Sequence, residues 1–353
     1  MSEGVVLKLG GSDFGGWKSV TVERSIQQGT GTFRLSVTER YPDQITAWRI
    51  KPDAECRLLM DGHQAIHGFV DSVDRAFDKS SRSVEVRGRD KTADVVDCCA
   101  SPTEFKGLRL DAIASRLLQP YGIGVVVAPG TVLGAAFPRW AVEPGETIWE
   151  CIERAARQRA LLVITNGDGD LVITGPGTSR FPTALVEGVN ILSATFNVDH
   201  SQRFHTYKAL AQSNDERWDK AESAAHLDAQ IIDKSVRKPR TVVFSAEDIA
   251  DGVTIKQRAI WERNVRRGRG MNVSVTVQGL SDPVGGLWMP NQMIPVWIPS
   301  FEVRQDLLIV STTSTDDENG KITELQLSPR SAWELLPEKP DEDTTVTPWG
   351  DSE

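Results

Sequence analysis

One succession of turn, strand, strand, hairpin and strand occurs twice in this chain at nearly the same spacing. Near the N-terminus, Lys51-Pro52-Asp53 leads into an apolar alternation at Cys56, Leu58 and Met60. The run Phe69-Val70-Asp71-Ser72-Val73 follows, then the polar turn Asp78-Lys79-Ser80-Ser81 and the strand Ser83-Val84-Glu85-Val86. Near the C-terminus, Met289-Pro290-Asn291 leads into Ile294, Val296 and Ile298. Next come Leu307-Leu308-Ile309-Val310-Ser311, the turn Asp316-Asp317-Glu318-Asn319-Gly320 and the strand Ile322-Thr323-Glu324-Leu325-Gln326-Leu327. The copies slip by about one residue in the last strand, where a one-residue shift exchanges the two faces. A duplicated all-β unit suits a ring or sheath better than a single catalytic cleft.

At 353 residues the chain has room for two or three domains. Its 49 acidic and 40 basic residues give a net charge of -9, which argues against a dedicated nucleic-acid binder. The start Met1-Ser2-Glu3-Gly4-Val5 lacks the basic and apolar regions of a secretory signal. No stretch reaches the roughly 18 apolar residues that cross a bilayer, so direct membrane insertion is not expected. Synthesis and assembly in the cytoplasm are. Cys56, Cys98, Cys99 and Cys151 contain no CxxC spacing and read as buried or free thiols.

Period-two alternation at Val5/Leu7/Leu9, Val20/Val22, Phe33/Leu35/Val37, Cys56/Leu58/Met60 and Val84/Val86 makes residues 1–97 entirely β. The pattern then changes. Residues 108–118 have helical spacing and end at Pro120 and Gly122; residues 123–127 read as a buried strand. Thr147 and Glu150 form a capping box for a helix over 148–159, and Asn166-Gly167-Asp168-Gly169-Asp170 turns a hairpin between two apolar runs. Residues 98–185 are thus a small α/β domain. A second β module spans 186–336, with a polar insertion at about 213–240 and a helix at about 254–267. Residues 337–353, rich in Asp, Glu, Pro and Thr, read as a disordered acidic tail that folding does not need.

Several segments resemble the baseplate hub family of Mu-like contractile-tailed phages. They are Gly16-Trp17-Lys18-Ser19-Val20, residues 31–40 from Gly31 to Arg40, residues 88–97 from Gly88 to Asp97, Pro144-Gly145-Glu146-Thr147, residues 187–194 from Glu187 to Ala194, and Trp261 with Asn264-Val265-Arg266 and Gly268-Arg269. The match runs in order from about residue 5 to about residue 336. The resemblance implies a mainly β fold with α+β character: two tube-like β-barrel modules plus a small α/β middle domain. It also implies a homotrimer with pseudo-sixfold symmetry that joins the tail tube to the central spike. The middle domain is expected outside the ring, meeting other baseplate proteins through Arg109, Arg116, Glu153, Arg154 and Arg157. The place of such a protein is the virion tail baseplate.

Residues that hint at chemistry have plainer readings. His63 and His67 lie four apart, but in a β context without the HExxH glutamate. Asp199-His200-Ser201 holds triad residue types as sequence neighbours, which cannot converge on one point. Asn166, Asp168 and Asp170 begin like a calcium loop, yet Gly177 stands where a glutamate is required. Gly29-Thr30-Gly31 has no following helix to make a phosphate loop. No catalytic residue, metal or cofactor is assigned, and no enzymatic activity is expected. The basic run Lys256, Arg258, Arg263, Arg266, Arg267 and Arg269 reads as a solvated helix surface or, at Arg263, Arg266, Arg267 and Arg269, as a weak partner interface. Trp17, Trp288 and Trp297 read as core, whereas Trp349 in the acidic tail is a candidate docking anchor. A structural hub that binds no specific nucleic acid leads; a tail-associated peptidoglycan hydrolase and a glycan-binding module are the alternatives.

Overall fold

The repeat seen in the sequence becomes a repeat of strands in a computed structural model of the chain, described over residues 4–38, 50–79, 82–211, 227–245, 255–282, 284 and 286–336. Its first copy contributes β1 (Val5–Leu9), β2 (Ser12–Phe14), β3 (Ser19–Ser25), β4 (Thr32–Thr38), β5 (Glu55–Met60), β6 (His63–Phe77) and β7 (Arg82–Asp90), and ends in α1 (Ala93–Asp97). The middle holds β8 (Glu104–Leu108), α2 (Leu110–Leu118), β9 (Val125–Val127), β10 (Phe137–Ala141), α3 (Ile148–Arg157), β11 (Leu162–Thr165) and β12 (Leu171–Thr174). After it come β13 (Leu185–Val186), β14 (Ile191–Val198), β15 (Thr206–Ala211), β16 (Leu227–Ile232), β17 (Thr241–Ser245) and α4 (Ile255–Arg269). The chain then forms β18 (Met271–Gln278), β19 (Ser281–Asp282), β20 (Gly286–Leu287), β21 (Met293–Ile298), β22 (Val303–Asp317) and β23 (Gly320–Ser328).

The two copies agree in detail. β5, β6 and β7 have 6, 15 and 9 residues, and so do β21, β22 and β23. Asp53 and Asn291, each after a proline, have φ of 63° and 65°, a left-handed conformation that Asp and Asn tolerate best among residues with a Cβ. Each entry turn closes on the long strand: Asp53 N donates to Val70 O and Asn291 N to Ile309 O, both at 2.8 Å. Each long strand then bulges one residue later, between Val70 and Ser72 and between Ile309 and Ser311. The bulge bends the strand, so its first half pairs with β5 or β21 and its second half with β7 or β23.

The bend lets each long strand serve two neighbours and curves the sheet. Each copy curls over its own core, one around Leu7, Leu35, Leu58 and Val86, the other around Val275, Ile294, Leu307 and Leu325. Among the described residues neither ladder closes into a barrel of its own. The strands run on through β3 paired with β22, so both copies share one 13-stranded sheet containing the run β14-β18-β23-β22-β3-β4-β7-β6. Leu280, from the second copy, is buried in the first core, and Asp61 accepts from Ser281 at 2.8 Å and pairs with Lys321 at 3.5 Å.

Asp90, 1% exposed at the end of β7, ties the first copy together. Its carboxylate accepts from Gly31 N at 2.6 Å, Thr30 Oγ1 at 2.8 Å, Thr92 N at 3.1 Å and Thr92 Oγ1. Gly29 O lies within hydrogen-bond reach of the same Thr92 hydroxyl, which shares its one proton between the two acceptors, so Gly29-Thr30-Gly31 is a hairpin clamped to the strand end. The same turn launches α1, whose Val95 enters the core of the middle unit. A tertiary contact therefore makes helix where the alternation reads as strand to residue 97.

In the middle unit the capping box forms as expected. Thr147 Oγ1 accepts from Glu150 N at 3.1 Å, and Glu150 Oε2 accepts from Thr147 N at 2.8 Å. The strand after α2 is shorter than the sequence suggests: among the described residues β9 pairs only with β12, and on this edge Val126 is exposed. Burial pushes the thiols of Cys56 and Cys151 up to about 12, leaving them inert, while Cys98 and Cys99 are exposed. Trp17 and Trp288 are buried, the latter stacked on Phe181. Trp297 is not: β21 alternates with Val296 and Ile298 inward, which leaves Trp297 51% exposed.

The polar stretch at 213–240 contains β16, which forms a three-stranded sheet with β15 and β17 under α4. Beside it Arg203 and Asp233, both 6% exposed, pair at 2.8 Å, and Ser235 adds a hydroxyl donor. Burial alone would raise the Asp233 carboxyl, but Arg203 and Ser235 outweigh it and hold it near about 2.

Three substitutions test this packing. Asp90→Ala removes the acceptor of four donors, most of them buried, and should lower the stability by about 2–4 kcal/mol, read as a lower denaturation midpoint with unchanged slope. Gly68→Ala should be comparably damaging, since a Cβ there would lie 1.9 Å from Arg89 O in β7. For Asp233, a depressed carboxylate, the contribution is full above about pH 4 and is lost as pH falls towards about 2. The stability gap between the native chain and Asp233→Asn should therefore shrink over that window. A gap unchanged between those pH values would show that the pair contributes nothing.

Candidate functional site

Strands of period two have a second face, and here that face is continuous across both copies. With Val22, Leu35, Val86 and Val275 turned to the cores, the alternate positions form rows on the opposite side. One row runs Ser193, Thr276, Glu324, Thr313, Glu23, Thr32 and Arg89 across seven neighbouring strands. The next runs Gln278, Ile322, Thr315, Thr21, Arg34, Arg87 and Ser72. Hydroxyls and amides dominate both.

The basic groups on this face are engaged by carboxylates. Arg34 bonds Glu85 at 2.8 Å, and Arg87 bonds Glu85 and lies 3.5 Å from Asp74. Arg89 bonds Asp71 and Asp97, each at 2.8 Å, and these carboxylates raise its pKa. The hydrogen bond from Arg34 holds Glu85 below the usual carboxylate range. Glu324 accepts from Ser274 at 2.9 Å and Gln326 at 2.7 Å. Such a surface is hydrated and polar but offers a phosphate few free cations.

At the two ends of the eight-strand run, backbone groups are left over. Among the described residues β14 pairs only with β18, and the second half of β6 only with β7. The apolar side chains Phe77, Leu192 and Val198 at these edges are 84%, 57% and 51% exposed. An unpaired strand edge with exposed apolar groups is a site for adding another strand.

The residues singled out from the sequence fall elsewhere. Arg263 bonds Asn264, and Arg266 pairs with Glu262 at 2.6 Å while its guanidinium lies over Phe204. Arg267 and Arg269 are exposed on α4, without an ion-pair partner among the described residues. All four arginines lie on α4, and Trp349 lies outside the described residues. His67 bonds Glu55 at 2.8 Å and meets Asp168 O, whereas His63 sits further along the same strand. Asn166 Oδ1 accepts from the backbone of Asp168 and Asp170, and Asp168 and Asp170 reach Gln64 and Lys91, so this turn docks the middle unit on β6. Asp199 accepts from both the backbone and hydroxyl of Ser201 in a local turn.

Two features escaped the sequence reading. Arg24, 5% exposed, donates to Ala65 O at 2.6 Å and Thr165 O at 3.0 Å, joining β3, β6 and β11; burial lowers its pKa. A charge at an apolar position of an alternating strand was its only sequence signal. The polar face was written in the other half of the alternation, as Ser19/Thr21/Glu23 and Ser311/Thr313/Thr315. Arg154 is not the exposed residue expected on α3: it bonds Glu146 at 2.7 Å and covers Trp140.

Comparison with known proteins agrees with this architecture. Residues 4–90 match the Mu phage baseplate assembly protein GpP-like N-terminal domain, residues 92–175 the second domain of baseplate hub protein gp44-like proteins, and residues 252–336 the fourth domain of Mu phage baseplate assembly protein GpP. The chain is 31% identical over 350 residues to baseplate hub protein gp44 of Escherichia phage Mu, covering 97% of this chain and 91% of that protein. The crystal structure of the 43 kDa tail protein of prophage MuSo2 from Shewanella oneidensis has a TM-score of 0.80 at 29% identity, covering 94% of this chain and 100% of that one. The tail protein from Neisseria meningitidis MC58 shares the fold, with a TM-score of 0.73 at 22% identity over 94% of this chain and 97% of that one. By these matches the chain belongs to the baseplate hub protein family of phage Mu and its relatives, as a structural component of the tail baseplate.

Proposed function

We propose that three copies of this chain form a pseudo-sixfold ring that joins the tail tube of a contractile tail to its central spike, with the polar sheet face lining a channel for DNA. The observation that carries this reading is the strand-for-strand identity of the two copies of β5–β7 and β21–β23, bulge and entry turn included. A junction between a sixfold tube and a threefold spike must present both symmetries, and three chains with two like modules supply six. The ion-paired, hydroxyl-rich face supports the channel role, because a passing duplex is held back least where phosphates meet no free cation. The middle unit, with Arg109, Arg116 and Arg157 exposed, is the part offered to baseplate wedge proteins outside the ring.

Native mass spectrometry should give a homotrimer; a stable dimer would contradict the ring. Hydrolase and glycan-binding roles are tested more simply. The isolated chain should leave purified peptidoglycan turbid and retain no cell-wall glycan in a binding screen. Clearing that one carboxylate substitution abolishes would replace the structural reading with an enzymatic one.

A further inference from the structure

The middle unit holds a cleft of about 340 Å3 lined by residues 135–141 of β10 and its approach and by Arg154, Gln158 and Arg159 at the end of α3. That volume lies near the lower end of the range for ligand sites, roughly 300–1,000 Å3, and suits a side chain or two rather than a folded element. No carboxylate lines the cleft, and three arginines do. Arg139 bonds Glu104 at 3.2 Å and Arg154 bonds Glu146 at 2.7 Å. Arg159 has no acidic partner among the described residues, and burial alone lowers its pKa. Its guanidinium lies 4.0 Å from the centre of the Phe137 ring, and its Nε is sealed from solvent without a hydrogen bond. A guanidinium stacked this way keeps its terminal N–H groups in its own plane, where a planar carboxylate matches them. Beside it Gln158 is 7% exposed, and its side-chain amide bonds to nothing among the described residues. Buried amides are paired as a rule, so two unpaired groups in one cleft suit a ligand that serves both.

We propose that this cleft binds a carboxylate side chain of an extended segment from a neighbouring baseplate protein, with Arg159 and Gln158 as its donors; this rests on the reading of the middle unit as the part offered to such proteins. The charges select a single carboxylate. One free guanidinium balances one negative charge, whereas a nucleic-acid backbone is held by several cations. The carboxylates of this chain near the cleft are already used: Glu104 holds Arg139 and Lys106, and Glu143 and Glu146 hold Arg154. The acid therefore comes from outside, and the exposed Ala135, Ala136 and Pro138 leave the cleft open to it. The extended form follows from β10, which among the described residues pairs only with β8 and so has one open edge. Pro138 offers no N–H, and Arg154 already donates to Ala141 O at 2.9 Å. The segment is thus held by its acid rather than by a full strand ladder, with the two alanines and Pro138 as apolar surface for the residues beside it.

Photo-cross-linking in assembled tails identifies the occupant, with p-benzoylphenylalanine in place of the exposed Ala136. Irradiation should join this chain to a second tail protein, and mass spectrometry should place the link within a few residues of an Asp or Glu. Adding Arg159→Met removes the charge but keeps an apolar stem over Phe137, and should cut the yield by about tenfold. Arg159→Lys should retain more of the yield than Arg159→Met. Thermal unfolding checks that each variant is folded; should Arg159→Met not fold, Gln158→Leu removes the second donor and should show the same loss. The same reagent in place of the exposed Arg116 on α2 reports on the middle unit away from the cleft. Links from position 116 with none from position 136 would overturn the cleft and leave the middle unit as a contact surface. No link from either position would overturn that reading as well. A link at 136 that keeps its full yield in the variants, or lies far from any acid, would overturn the carboxylate. A link to residues 337–353 of this chain would give the cleft to its own acidic tail and overturn the partner.

Discussion

Six residue pairs between β3 and β22 join what would otherwise be two separate curled sheets. Backbone donors and acceptors along a strand must be satisfied, and an edge left bare invites pairing with whatever strand arrives. In this chain one repeat satisfies the edge of the other. Much of the first copy serves to present β3 for that purpose. Asp90 clamps the β3–β4 hairpin, Arg24 ties β3 to β6 and to the middle unit, and the bulges in β6 and β22 turn each long strand from one neighbour to the next. Because the bulge comes first, the half-strand beyond it carries a free edge on one side, and β3 fills that position in the second copy.

Much of this fold was legible in the residues, and the reasons differ from element to element. The repeat could be read because each copy spells its strands with the same period-two apolar code, and its entry turn with Pro-Asp or Pro-Asn. The α3 cap could be read because Thr147 and Glu150 act through local hydrogen bonds. What could not be read depends on partners far along the chain. Val95 makes helix of α1 by reaching the core of the middle unit. Trp297 turns outward because register, not hydrophobicity, decides its face. Arg154 was expected on the surface, yet Glu146 and Trp140 hold it inward. Among the described residues the barrels implied by the family resemblance are not closed one by one, because the ladder of one copy runs on into the other through β3 and β22.

The candidate site was the less legible part for a related reason. Attention to apolar residues finds cores, and the polar alternation between them passes as solvent-facing filler. Only the registers show that Ser193, Thr276, Glu324, Thr313 and Glu23 stand side by side. The arginines on that face would have looked like phosphate ligands in a sequence scan. Of their carboxylate partners, Glu85 and Asp71 are brought close by the strand ladder and Asp97 by α1 at the end of β7. By contrast, the basic run on α4 was conspicuous in sequence, and of its arginines Arg266 is engaged by Glu262 while Arg267 and Arg269 stay exposed.

A reconstruction of the assembled tail tip tests the central claim most directly, that two like modules per chain alternate around one ring. The account predicts six modules at one radius around a central channel. Modules at two clearly different radii would contradict it.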